Sequence, residues 1–323
     1  MMTGLNRLDF LKGLSLSSLA AATGCVSASG GDAFDKPFSL SRPGVLHVPF
    51  PGVAEDVRIW VVGDTHFALH DARDEAWSGH YRRMAQWPAA KEPFERMLAR
   101  AAKERPDLLL LVGDNISFPT LANIEYLKAK LDGCGVPWMY VAGNHDWHFE
   151  GDSGSDIEQR ARWTSARLGP LYQGADPLMA SRVVKGIRVV TIDNSVYHVL
   201  PEQVEFWKQE AAKGDPVVLA MHIPFWQPGF DGGTCCAPGW GAATDRYWEI
   251  ERRERWAERL MPSTFAFRDA VLSTPNLVGV FAGHIHVFQS ARAHGQNLFT
   301  VPANGKGDFL DVRIGPCASG VGE

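Results

Sequence analysis

The residues Met139-Tyr140-Val141-Ala142-Gly143-Asn144-His145-Asp146 form an apolar run that ends in a glycine turn and three polar side chains. The apolar half is typical of a short strand that is buried on both faces. In open α/β sheets, ligands bind at the carboxyl ends of the strands. The pattern therefore predicts a buried strand that presents ligand groups at its end.

The same arrangement recurs at four other places in the chain. In each, a short apolar run leads into Asp, Asn or His: Ile59–Val62 before Gly63-Asp64-Thr65-His66, Leu108–Val112 before Gly113-Asp114-Asn115, Val217–Met221 before His222, and Val278–Phe281 before Gly283-His284-Ile285-His286. Asp, Asn and His offer the oxygen and nitrogen ligands that divalent metals bind. Five such strand ends therefore predict a single metal site.

Taken in order, the motifs GDTH, GD, GNHD, a lone His and GHIH resemble those of the calcineurin-like metallophosphoesterase family, from about Arg58 to His286. The resemblance implies an α/β fold, namely a four-layer α/β/β/α sandwich with two mixed β-sheets, over residues 45–316. Alternating strand and helix patterns in this range agree with parallel strands. The resemblance also implies hydrolysis of a phosphate ester at two metal ions.

The family pattern, carried over to this sequence, assigns seven metal ligands. The first ion would bind Asp64, His66 and His286, the second Asn144, His222 and His284, and Asp114 would bridge both. Such a pair lowers the pKa of a bound water, and the resulting metal-bound hydroxide attacks the phosphorus. The ligand types suit Mn²⁺, Fe²⁺ or Zn²⁺ without choosing among them. In an extended backbone, the two His of GHIH would point to the same side.

His145 and Asp146 are the predicted catalytic residues. As the resemblance implies, His145 would donate to a phosphoryl oxygen or protonate the leaving alkoxide, and Asp146 would orient it and raise its pKa. Asn115 would also contact phosphate. Ser117 stands where purple acid phosphatases have an iron-binding Tyr, so an iron–tyrosinate centre is not expected.

Residues 1–30 are typical of an export segment, because positive charges precede a short apolar run at Leu14–Ala22. Ala22-Thr23-Gly24-Cys25 resembles a bacterial lipobox, in which the Cys is acylated; a plain cleaved signal is the alternative. Residues 31–44 are interpreted as a linker. The protein is therefore expected to be exported to the periplasm or the outer surface, with or without a lipid anchor at Cys25.

Two further features are left open by the sequence. Residues 227–260 form a long insertion after His222, and this position favours a lid over the site. The five cysteines include no CxxC pair, which argues against a structural zinc site. Disulfide pairing among Cys134, Cys235, Cys236 and Cys317 is undetermined.

Charge limits the choice of substrate. The chain of 323 residues carries a net charge of −5 and has no basic stripe, which a protein that binds long nucleic acid usually has. A small phosphate ester is the expected substrate, and monoester and diester hydrolysis, including that of cyclic nucleotides, are not separated. The alternatives are a nuclease of the same fold and a binding scaffold without activity.

The side chains of Trp147, Trp226 and Trp240 would line an aromatic pocket or pack a lid. The oligomeric state is left open by the sequence.

Overall fold

The structure, a computed structural model, describes residues 36–77, 91–149, 151–225 and 262–317. The predicted export segment and the predicted insertion at residues 227–260 lie outside the described residues, as do Trp226 and Trp240. None of the described helices has the length and apolar composition that crossing a bilayer requires.

Within the described residues the first sheet has six strands, and three of them coincide with apolar runs identified in the sequence. The strands are β1 (Ser39–Arg42), β2 (Val45–Pro49), β3 (Val57–Val62), β4 (Leu108–Val112), β5 (Trp138–Val141) and, from the end of the chain, β12 (Leu310–Gly315). They lie in the order β1-β2-β12-β3-β4-β5. Strands β3, β4 and β5 are parallel, whereas β12 is antiparallel to β3. Because β1 falls within residues 31–44, the sheet begins inside the segment that the sequence assigned to a linker.

The second sheet also has six strands. They are β6 (Met179–Val184), β7 (Ile187–Ile192), β8 (Val217–Met221), β9 (Leu277–Ala282), β10 (Gln289–Ala293) and β11 (Gln296–Thr300), in the order β10-β11-β9-β8-β7-β6. The four central strands are parallel, and the outer strands β6 and β10 are antiparallel to their neighbours. Both sheets are therefore mixed, as predicted.

Within the described residues, five α-helices cover the outer faces of the two sheets. They are α1 (Lys91–Glu104), α2 (Leu121–Gly133), α3 (Asp156–Trp163), α4 (Pro201–Ala211) and α5 (Pro262–Leu272). Side chains alternate between the faces of a strand, so Leu108 and Leu110 of β4 pack between the sheets while Leu109 and Leu111 pack under α1 and α2. A third cluster joins α4 and α5 to the second sheet. The layer order is α/β/β/α, and the predicted fold class is confirmed.

The two cysteines within the described residues differ in state. Cys134 is buried and carries a free thiol. Cys317 is disulfide-bonded, and its partner lies outside the described residues. The pairing of Cys235 and Cys236 therefore stays open, while Cys134 is excluded from the bond.

Candidate metal centre

The seven predicted ligands lie at the carboxyl ends of five strands that open onto one edge of the sandwich. Asp64 and His66 follow β3, Asp114 follows β4, Asn144 follows β5, His222 follows β8, and His284 and His286 follow β9. Backbone hydrogen bonds join neighbouring turns: the N–H of Asp64 donates to the carbonyl of Gly113 at 3.0 Å, and that of Gly283 to the carbonyl of His222 at 2.9 Å. The backbone of the fold thus fixes the turns relative to one another.

Six of the seven side chains form close groups, which also include His145. The groups are Asp64–His66–His286, His66–Asp114–His145 and Asp114–His222–His284, and within each the ligand atoms lie within 4.8 Å of one another. Nε2 of His222 lies 3.2 Å from Oδ2 of Asp114, and Nε2 of His286 lies 3.3 Å from Oδ1 of Asp64. Asp114 belongs to two of the groups, as a carboxylate shared by two ions would.

Asn144, the seventh predicted ligand, and Asn115 are both fully buried. Among the described residues, neither the oxygen nor the nitrogen of either amide has a hydrogen-bond partner. An unpaired buried polar group costs about 1–3 kcal/mol. Such amides are therefore suited to a ligand, which in the prediction is a cation for Asn144 and a phosphate for Asn115.

The backbone is strained at most of these residues. Five predicted ligands have φ in the left-handed region: Asp64 at 55°, His66 at 54°, Asp114 at 50°, His284 at 73° and His286 at 62°. Residues other than glycine rarely adopt such angles, and each costs about 1–3 kcal/mol when held there. Strain of this kind gathers at functional sites. Five strained residues in one cluster indicate that the fold holds these side chains in place at a cost in backbone energy.

The predicted extended backbone at His284 and His286 is wrong. Strand β9 ends at Ala282, and both histidines follow in the left-handed conformation. His284 joins the group that contains His222, whereas His286 joins the group that contains Asp64. A bend, and not the alternation of a strand, therefore delivers the two imidazoles to different groups.

Glycine is required where these turns approach one another. A Cβ atom at Gly143 would lie 2.2 Å from Oδ1 of Asp114, and one at Gly113, where φ is +85°, would lie 2.6 Å from Nδ1 of His222. No real Cβ contact is that short, so any larger residue would displace a predicted ligand. These two glycines are therefore required for the close approach of the turns as well as for the change in chain direction.

His145 lies beside the carboxylate of Asp114. Its backbone N–H donates to Oδ1 of Asp114 at 2.8 Å, and its ring meets that of His66 edge to face, with centroids 4.9 Å apart. The structure thus brings the predicted catalytic histidine to the predicted metal ligands.

Asp146 was predicted to act on His145, and in the structure its carboxylate contacts three backbone N–H groups. Its carboxylate accepts hydrogen bonds from the backbone N–H groups of Gly143 at 2.7 Å, Asp114 at 2.9 Å and Ile116 at 2.9 Å. Burial, and then the neighbouring Asp114 carboxylate, raise the pKa of Asp146 to about 7. These bonds hold the turn after β4 against the turn after β5, and the orientation of His145 by Asp146 stays a prediction.

The electrostatics of the cluster favour cation binding. Burial lowers the pKa of His66 well below its usual value, which leaves a neutral imidazole with a lone pair. Burial also lowers the pKa of His222, but the Asp114 carboxylate outweighs this effect and raises the pKa to about 9. Nδ1 of His222 donates to the carbonyl of Val112 at 2.8 Å, so Nε2 faces Asp114. A cation at Asp114 would replace the proton on that nitrogen.

Sequence reasoning missed the loop after β7, which is not among the five predicted strand ends. Asn194 accepts through Oδ1 from the backbone N–H of His222 at 3.2 Å, and the hydroxyl of Tyr197 lies 3.5 Å from Nε2 of His284. The signal was present, because an apolar run ends here in Asp193-Asn194-Ser195 as it does at the other five strand ends.

Two neighbours of the cluster are core residues. Trp147 is fully buried, belongs to the cluster under α1 and α2, and donates from Nε1 to Oγ of Ser195 at 2.8 Å. It therefore packs in the interior and does not line an aromatic pocket. Ser117, at the position of the purple acid phosphatase tyrosine, donates to the carbonyl of His66 at 3.1 Å.

Comparison with known proteins gives a match over most of the chain. The model of the calcineurin-like phosphoesterase family matches residues 57–288. A protein of Psychrobacter sp. (strain PRwf-1), described as a "probable cyclic nucleotide phosphodiesterase", is 24% identical over 223 residues, which cover 66% of this chain and 56% of that protein. The chain therefore spans little more than half the length of this relative.

Solved structures align over similar ranges. A dimetal phosphatase from Danio rerio aligns with a TM-score of 0.49 and 13% identity, covering 77% of this chain and 88% of that chain. A purple acid phosphatase from yellow lupin (Lupinus luteus) seeds aligns with a TM-score of 0.48 and 14% identity. The alignment covers 82% of this chain and 47% of that chain. The family match at residues 57–288 spans the strand ends that carry the predicted ligands, and the chain accordingly belongs to the calcineurin-like phosphoesterase family.

Proposed function

We propose that the protein hydrolyses a small phosphate ester with a pair of divalent metal ions held around Asp114. The observation that carries the proposal is the position of this carboxylate between two groups of ligands. Its Oδ2 lies 3.8 Å from Nε2 of His66 and 3.2 Å from Nε2 of His222. A buried carboxylate that faces two imidazoles from different sheets is suited to bridge two cations.

The described residues fit a metal pair in number and chemistry. The first ion would be held by Asp64, His66 and His286, the second by Asn144, His222 and His284, with Asp114 shared. The unpaired amide of Asn144 and the neutral imidazole of His66 support this fit. When bound, two divalent ions neutralise phosphoryl oxygens and lower the pKa of a water nucleophile. Mn²⁺, Fe²⁺ and Zn²⁺ all accept such ligands.

His145 would act on the leaving group. Its backbone is fixed by Asp114, so the imidazole keeps a set position relative to the carboxylate that the ions would share. From there it would donate a hydrogen bond to a phosphoryl oxygen or a proton to the departing alkoxide. General acid catalysis of this kind contributes about 10²–10⁴-fold to the rate.

A small diester is the substrate class that we favour. The relative described as a probable cyclic nucleotide phosphodiesterase supports a diester, and the net charge of −5 argues against long nucleic acid. Rates on bis-p-nitrophenyl phosphate, p-nitrophenyl phosphate and 3′,5′-cyclic AMP, measured with Mn²⁺, test the proposal. Faster hydrolysis of the diesters supports it, and faster hydrolysis of the monoester makes the protein a phosphatase.

The same assay separates the enzyme from the alternatives. A chain that holds two ions yet leaves every ester intact would be a binding scaffold, and the proposal would be wrong. Metal-dependent cleavage of single-stranded DNA in preference to small esters would favour a nuclease.

We further propose that the protein is exported and is attached to a membrane through acylated Cys25. Two features support this location: the charged and apolar pattern of residues 1–30, and the disulfide at Cys317, since disulfides persist in oxidising compartments. Cells labelled with a tagged fatty acid should yield labelled wild type and unlabelled Cys25→Ser. Unlabelled wild type in a soluble periplasmic extract would instead support a cleaved signal.

A further inference from the structure

The loop after β7, residues 193–197, is hydrogen-bonded to turns from both sheets. Asn194 accepts through Oδ1 from the backbone N–H of His222 at 3.2 Å, in the turn after β8. Ser195 accepts through Oγ from Nε1 of Trp147 at 2.8 Å, in the turn after β5. The loop is therefore held firmly against the edge where the metal ligands converge.

Tyr197 ends this loop in a strained conformation. Its φ is 64°, which is a clear outlier for a bulky side chain. Its backbone N–H donates to the carbonyl of Asn194 at 2.8 Å, and its side chain is buried. Strain of this kind persists only where the surrounding structure fixes a residue, and it gathers at functional positions. The strain therefore draws attention to what the tyrosine contacts.

The phenol of Tyr197 contacts a predicted metal ligand. Its oxygen lies 3.5 Å from Nε2 of His284, and the two rings meet edge to face with centroids 5.8 Å apart. A histidine that binds a metal through one ring nitrogen is oriented by a hydrogen bond from the other. His222 has this arrangement, because its Nδ1 donates to the carbonyl of Val112 and its Nε2 faces Asp114. In His284, Nε2 faces the phenol of Tyr197.

We propose that Tyr197 is the positioning residue of His284. The phenol oxygen accepts the proton of Nε2, which fixes the tautomer with a lone pair on Nδ1 and directs that lone pair to the second ion. The inference rests on the proposed metal pair and assigns a ligand atom within it. Removal of the phenol oxygen should weaken one ion and spare the other, because Asp64, His66 and His286 do not depend on this contact.

Tyr197→Phe tests the role, because it removes the oxygen and keeps the ring. Mn²⁺ is titrated into the metal-free full chain by calorimetry, and electron paramagnetic resonance distinguishes coupled pairs from isolated ions. Wild type should bind two ions as a coupled pair. The variant should bind one ion with wild-type affinity and the second about 10- to 100-fold more weakly. Its electron paramagnetic resonance spectrum should then be that of isolated Mn²⁺ ions. Tyr126→Phe is the matched control, since that hydroxyl contacts Glu95 at 3.0 Å, away from the cluster.

Each outcome bears on one claim. Wild-type affinity for both ions in Tyr197→Phe would overturn the positioning role, and equal weakening of both ions would overturn it in favour of a general structural one. A wild-type chain that binds fewer than two ions would contradict the proposed function itself. If Tyr197→Phe does not fold, a fluorinated tyrosine at position 197 weakens the acceptor and keeps the hydroxyl. A lower affinity for the second ion alone then supports the positioning role. Unchanged affinity for both ions overturns it.

Discussion

The backbone N–H of His145 donates to Oδ1 of Asp114 at 2.8 Å, so the proposed general acid is hydrogen-bonded to the proposed bridging ligand. The other oxygen, Oδ2, faces His66 and His222 at 3.8 and 3.2 Å. One carboxylate thus divides its two oxygens between the turn that carries His145 and the two imidazoles that are proposed to bind cations. The position of His145 is therefore set by the same group that would hold both ions.

His145→Ala should keep two ions and lose turnover, because the side chain is not among the seven proposed ligands. The expected fall in kcat is about 10²–10⁴-fold. It should be larger for phenyl esters than for p-nitrophenyl esters, because a good leaving group departs without a proton. Metal content and kcat are measured on the same samples. Lost metal would make His145 a ligand, and equal falls for both esters would exclude proton donation.

Asp146→Asn should destabilise the fold, since it replaces an acceptor of backbone N–H groups with an amide that can present a donor to them. We expect the free energy of unfolding to fall by about 1–3 kcal/mol, measured by urea denaturation of the metal-free chain. Asp269→Asn is the matched control, because the Asp269 side chain is 66% exposed and its carboxylate pairs with the neighbouring Arg268. If Asp146→Asn is as stable as wild type, the carboxylate does not hold the two turns together.

Asn144→Leu separates metal binding from stability. Without metal, the variant should be at least as stable as wild type, because an unpaired buried amide is replaced by an apolar group of similar size. With saturating Mn²⁺, wild type should become the more stable of the two, since a ligand that binds only the folded state stabilises it. Thermal unfolding with and without Mn²⁺ gives both comparisons. A metal-free variant that melts well below wild type would show that the amide has a structural partner.

Asp311→Asn should lower stability in a pH-dependent way. Asp311 accepts from Nε and Nη2 of Arg58 at 2.8 and 2.7 Å, joining β12 to β3. Burial alone would raise the pKa of Asp311, but these bonds outweigh it and lower the pKa below its ordinary value of 3.8. The stabilisation is thus complete above that value and is lost as the pH falls through the lower pKa of the folded state.

The expected loss at pH 7 is about 1.5–3 kcal/mol, typical of hydrogen bonds to charged groups. The difference between wild type and Asp311→Asn should shrink as the pH falls below about 4. Glu205→Gln provides the control, because Glu205 forms an exposed pair with Lys208. Urea denaturation between pH 7 and pH 3 measures the effect. A difference that does not vary with pH would contradict the assigned pair.

The central strands and the convergence of the polar side chains at their ends were predictable, because each leaves a local trace in the sequence. An apolar run such as Leu108–Val112, followed by glycine and a carboxylate, is visible without any knowledge of its neighbours. The fold then only has to bring the ends of parallel strands together, which the topology of such sheets ensures. Strand β1 left no such trace, because its four residues are mostly exposed.

The details of the site that were mispredicted or not predicted depend on backbone conformation, which residue spacing does not encode. The letters GHIH are the same for a strand and for a bend, yet His284 and His286 are left-handed. Asp146 adjoins His145 in sequence, yet its carboxylate turns back to three backbone N–H groups. Tyr197 reaches His284 only because β7 and β9 belong to the same sheet, with β8 between them.

The most direct test of the central claim is the number of Mn²⁺ ions bound per chain by wild type and by Asp114→Asn, counted by calorimetry and elemental analysis together with diester hydrolysis. Wild type should bind two ions and hydrolyse the ester. Asp114→Asn should lose at least one ion and nearly all turnover while keeping its secondary structure. An Asp114→Asn chain that retains two ions and wild-type turnover, or a wild type that is fully active with one ion, would contradict the account.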